Sequence, residues 1–123
     1  MSRSAMSIAM ALAWVLGFAL SSTGAAADYY GAIAFSQGSG AVGYSYDYQT
    51  RAAAEERALD ECGEGCEVAV WFRNACGALA TGDDAGYGSA WAVSRREAEQ
   101  IALDQCNRHA ENCSIRRWVC TAR

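Results

Sequence analysis

Hydrophobic and polar positions change period several times along this chain, and each change marks an element. The apolar run Tyr29 to Phe35 reads as a strand, and Gln37-Gly-Ser-Gly40 as the turn that reverses it. Ala41 to Tyr48 is the return strand. Strand side chains alternate, so Val42, Tyr44, Tyr46 and Tyr48 fall on one face and Gly43, Ser45 and Asp47 on the other. The spacing then lengthens to about 3.6 residues, which is helical: Ala54, Ala58, Leu59 and Cys62 share one side, with Thr50 placed to cap the first turn. Small residues on that side let the helix lie close to a sheet. Gly63-Glu-Gly65 stops the helix, and Cys66 to Phe72 forms the next strand.

After a turn at Arg73-Asn74-Ala75 the pattern starts again. Cys76-Gly-Ala-Leu-Ala80 matches Tyr30-Gly-Ala-Ile-Ala34, and Ala98-Glu-Gln-Ile-Ala-Leu-Asp-Gln-Cys106 matches Ala54-Glu-Glu-Arg-Ala-Leu-Asp-Glu-Cys62. The chain is an internal duplication. In the second half, Thr81 to Gly86 is the turn, Tyr87 to Val93 the return strand and Ser94 to about Ala110 the helix, opened by a Ser94–Glu97 capping box. Ser114 to Cys120 is the last strand. The offset between halves runs from 46 (Tyr30 to Cys76) to 44 (Cys62 to Cys106) to 47 (Trp71 to Trp118), and each change is expected in a loop. The fold class expected is α+β: two pseudo-repeats of strand, strand, helix and strand, about 28–75 and 76–123, with two helices packed on an antiparallel or mixed sheet system.

Tyr30-Gly-Ala-Ile-Ala34, the Ala-rich helix ending at Cys62, Val70-Trp-Phe-Arg-Asn74 and Cys76-Gly-Ala-Leu-Ala80 together resemble the motifs of a family of small secreted bacterial domains of unknown function. The likeness covers nearly all of the chain after Ala27. It implies export and this fold, and it carries no catalytic residue to transfer.

Residues 1–27 change the picture of where the chain works. Arg3 precedes an apolar run from Ile8 to Leu20, and Ala25-Ala-Ala27 supplies the small residues that a signal peptidase needs. That run is shorter than the ~20 residues that span a hydrocarbon core, so a signal peptide is expected and no membrane span remains after its removal. Cleavage after Ala27 leaves nine Arg against fourteen Asp and Glu, a net charge of −5 without a single Lys. An acidic chain disfavours nucleic acid as a partner.

Six cysteines, all after residue 27, point to disulfides in an oxidising compartment, secreted or periplasmic. Fifteen pairings are possible, but the duplication places Cys62/Cys66 and Cys106/Cys113 at equivalent helix-to-strand corners. Each corner pair can close a small ring, which leaves Cys76 to pair with Cys120. The rival is a metal site built on Cys106, His109 and Cys113, completed by Cys62 and Cys66. Disulfides are preferred, and no metal or cofactor is expected.

Chemistry is harder to find. His109 is the only histidine, and a small hydrolase would need it to work with a carboxylate such as Asp83 or Asp84, which read more simply as turn residues. No Gly-x-Ser-x-Gly elbow, His-Glu-x-x-His or phosphate-binding Gly loop is present. The tyrosine stripe could stack on a glycan or peptide, although the core face of a strand explains it as well. On the strands after each helix, alternation puts Val68, Val70, Phe72, Ile115 and Val119 on one side and Trp71, Arg73, Arg116 and Trp118 on the other. A Trp among Arg residues is typical of binding hot spots, and two Trp packed together would be the alternative. The function expected is a monomeric, non-enzymatic binding module, inhibitor- or immunity-type, for an unknown protein or envelope component, with the His109 hydrolase as its rival.

Overall fold

The computed structural model describes residues 27–122, so the signal-peptide reading of the N-terminal segment lies outside the described residues. Its elements run β1 (Tyr30–Phe35), β2 (Val42–Tyr48), α1 (Arg51–Cys62), β3 (Glu67–Arg73), β4 (Cys76–Thr81), β5 (Tyr87–Ala92), α2 (Arg95–Asn107) and β6 (Ser114–Cys120). The fold is α+β with two repeated units, and each unit forms its own antiparallel sheet, β2-β1-β3 in the first and β5-β4-β6 in the second. Where the sequence suggests one shared sheet system, two stacked sheets form, with a helix on the outer face of each.

The central strands explain this layering. Alternation sends Ile33 and Phe35 of β1, and Leu79 of β4, into a core between the sheets with Phe72 and Val119. It sends Ala32 and Ala34 outward to Ala54, Ala58 and Cys62 of α1, and Ala78 and Ala80 outward to Ala98, Ala102 and Cys106 of α2. Large residues therefore join the halves, and small ones seat the helices. The helices approach so closely that a Cβ on Gly43 would strike the Ala58 carbonyl, and one on Gly88 the Ala102 carbonyl. Phe72 fills the middle of the sandwich: a Cβ on Gly31 would lie 2.5 Å from its Cε2, and one on Gly77 2.5 Å from its Cδ1.

The capping hydroxyls expected at the two helix starts are in place. Thr50 Oγ1 accepts from Ala53 N–H at 3.1 Å, and Ser94 Oγ accepts from Glu97 N–H at 3.2 Å. α2 ends at Asn107 rather than near Ala110, because His109 and Ala110 both donate their N–H to the Cys106 carbonyl and turn the chain toward Cys113.

Three strand bulges correct the face assignments made from alternation. β3 slips by one residue between its pairings with Ile33 and Ala34, and β6 slips at the equivalent place, between Leu79 and Ala80. An extra residue reverses the parity beyond it. Val68 and Ile115 therefore pack on the helix side, whereas Val70, Phe72 and Val119 face the core between the sheets. The third bulge falls between Tyr30 and Ala32 in the β1–β2 pairing, where Asp47 has φ 61°. One change of repeat offset thus lies inside β2 and not in a loop, and it divides the tyrosine stripe. Tyr44 borders the inter-sheet core, Tyr46 is exposed, and Tyr48 turns to the helix side.

Three disulfides join Cys62 to Cys66, Cys76 to Cys120 and Cys106 to Cys113. Each lies within one half. At the junction, Asn74 N–H donates to the Tyr29 carbonyl while Asn74 Oδ1 accepts from Tyr29 N–H; Thr121 makes the same pair of bonds to Ala75. In both halves the last strand is thereby tied to the start of the first. No described helix is long and apolar enough to cross a membrane.

Candidate binding site

The first turn of each helix carries an Arg that lies over the Trp of the strand after that helix. Arg51 places its guanidinium carbon 4.2 Å from the ring centre of Trp71 while its Nε bonds Glu55 at 3.0 Å. Arg95 sits 3.7 Å over Trp118 and bonds Glu99 at 3.0 Å. Cation–π attraction of this kind holds a helix start against an edge strand. Trp71 also has Tyr30 beside it, with ring centres 6.4 Å apart.

This geometry separates the four residues that sequence reasoning placed on one surface. Trp71 and Trp118 lie on the helix sides of different sheets and do not pack against each other; each is matched with its own Arg. Arg116 stands at the β6 bulge and donates to the Gly40 carbonyl at 3.1 Å. Arg73 pairs across the sheet with Tyr30, and Asp28 approaches it at 3.9 Å. A hydrogen bond with Tyr30, helped by the Asp28 charge, raises the Arg73 pKa above its ordinary value.

Trp71, Phe72 and Arg73 line a depression of 270 Å³ with Trp91, a residue that sequence reasoning left out. Trp91 of β5 pairs with Gly77 of β4, so it points to the same side as that glycine, next to the ring of Phe72. Among the described residues it is the most exposed Trp, at 56%, and no ring or cation covers it. The signal was present in the repeat: in the structural register Trp91 stands where Tyr46 stands in the first half, and both are exposed.

The other candidates have structural partners. His109 is exposed and shares an open depression with Asp84, Gln105 and Ser89, but Ser89 Oγ donates to the Ala69 carbonyl at 2.9 Å. Asp83 accepts from Asn112 Nδ2 at 2.7 Å within the turn at Asp83–Ala85. With Cys106 bonded to Cys113 and Cys62 to Cys66, none of the thiolates of the alternative metal site is free. Tyr44 and Tyr46 stack on each other with ring centres 6.4 Å apart, and Arg117 lies 4.5 Å over Tyr44.

A duplicated sandwich held by three disulfides and carrying an aromatic depression defines the class of domain, and disulfides of this kind suit an oxidising environment. The chain belongs to the family described as a domain of unknown function, DUF4189, whose model matches residues 30–120. Protein Rv1269c of Mycobacterium tuberculosis is 49% identical over 77 residues, which is 59% of this chain and 60% of that protein. The uncharacterised protein Rv1813c of the same organism is 37% identical over 93 residues, 75% of this chain and 60% of its own length. This chain thus spans about 60% of the length of the curated relatives it matches. The NMR structure of Rv1813c superimposes with a TM-score of 0.58 at 32% identity, covering 98% of this chain and 94% of that one.

Proposed function

We propose that the chain is exported, loses residues 1–27, and works outside the cytoplasm as a monomeric binding module for a protein or an envelope component. An inhibitor- or immunity-type role fits this reading. The observation that carries it is Trp91, an uncovered indole beside the cationic Arg73 on a scaffold held by three disulfides. Exposed Trp with Arg is the composition enriched at binding hot spots, and a stiff scaffold loses little entropy when it binds. Disulfides suit an oxidising compartment.

Affinity capture from envelope extracts, run with the oxidised mature protein and its Trp91→Ala variant, tests the proposal. A component held by the parent and released by the folded variant supports it. Equal capture by both proteins removes the groove from consideration.

A further inference from the structure

The repeat supplies an internal control for what the fold requires. Positions that keep the same chemistry in both halves satisfy a shared structural need. The Trp71–Arg51 and Trp118–Arg95 stacks are such a pair, and so are Glu61 and Gln105, which accept the N–H groups of Tyr44 and Ser89 on the edge strands β2 and β5. Positions that differ are released from that need. Arg73 occupies the place of Cys120, and Trp91 the place of the smaller Tyr46. Both unmatched residues line the same depression.

The surroundings also restrict how a ligand enters. Ser89 N–H of β5 is taken by Gln105 Oε1 at 2.6 Å, and the Ala69 carbonyl at the β3 bulge by Ser89 Oγ at 2.9 Å. These occupied groups and the bulge in the β3 ladder disfavour an added peptide strand at this place. What remains for recognition is the indole face of Trp91 and the guanidinium of Arg73. A sugar ring presents C–H groups of partial positive charge to the negative face of an aromatic ring, and a carboxylate takes forked bonds from Arg. Arg73 has an anion near it already: Asp28 Oδ1 accepts from Asn74 Nδ2 at 3.0 Å, and its Oδ2 lies 3.9 Å from Arg73, a separation that leaves donors of the half-exposed guanidinium open to a closer carboxylate. The chain's own net charge of −5 after Ala27 opposes extended polyanions and leaves a single local carboxylate as the better match.

The geometry points to a carboxylate-bearing sugar unit as the ligand of the Arg73–Trp91 depression. This rests on the binding-module reading and names its ligand class. The sugar ring lies on Trp91, and its carboxylate pairs with Arg73.

Titration of the oxidised mature protein with tri-galacturonate, with its fully methyl-esterified form and with tri-glutamate, followed through the Trp indole N–H signals, tests it. The acid sugar shifts the Trp91 signal, the ester binds at least tenfold more weakly, and tri-glutamate leaves it unmoved. Arg73→Gln lowers affinity for the acid at least tenfold and removes the difference between acid and ester, whereas Arg116→Gln changes neither. Melting curves confirm that the variants are folded. Equal binding of acid and ester, or tighter binding of tri-glutamate, overturns the sugar-acid assignment. If no probe binds but Trp91→Ala still releases an envelope component, the ligand class is wrong and the binding-module reading survives. If Trp91→Ala changes neither measurement, both fail.

Discussion

Phe72 occupies a place that no single repeat could provide, since its ring fills the space above Gly31 of one half and Gly77 of the other. It is 1% exposed, and its counterpart in the repeat, Val119, is too small to do the same. Phe72→Ala should cost about 3–5 kcal/mol, read as a fall of roughly 15 °C or more in melting temperature by circular dichroism. The two tryptophans of the groove should behave differently from each other. Trp71→Ala removes a ring packed with Tyr30 and Arg51 and should lower the melting temperature clearly; Trp91→Ala should stay within about 0.5 kcal/mol of the parent. Equal losses in these two variants would mean that Trp91 is part of the fold.

Between elements, closeness and protection come from matched residues. Gly43 and Gly88 let the helices sit on β2 and β5, and Glu61 and Gln105 reach down from those helices to occupy an edge N–H on each strand. Exposed edges invite pairing with other chains. The double variant Glu61→Ala, Gln105→Ala should self-associate more than the parent at equal concentration, which light scattering would detect. The repeat, the helices with their Thr50 and Ser94 caps, and the order of strands were all legible in the sequence, because periodicity and capping are local properties. The sides taken by Val68 and Ile115 were not. A bulge arises from pairing with a distant strand, and one extra residue inverts every face beyond it. Trp91 is hidden in the sequence for a related reason: its match with Tyr46 emerges only once the inserted Asp47 is recognised as a bulge inside a strand.

Across the whole molecule, covalent support is uneven. The Cys76–Cys120 bridge spans 44 residues and holds β4 to β6, while the first half has only the pairing of Tyr30 with Arg73 at the same place. In the chain-entropy model a ring of this size contributes about 4 kcal/mol and each corner ring about 2 to 2.5 kcal/mol, so replacing Cys76 and Cys120 by Ser should lower stability in urea the most of the three. None of the bridges crosses from one half to the other. The halves are joined by backbone only at Asn74–Ala75, where Asn74 holds φ 50°, a conformation that β-branched residues resist. Each half also begins and ends at one spot, tied by Asn74 to Tyr29 and by Thr121 to Ala75. Two copies could therefore trade an entire half if that link straightened. Asn74→Val should favour such an interlocked dimer on gel filtration, and the exchanged form would keep all three of its cross-links intact.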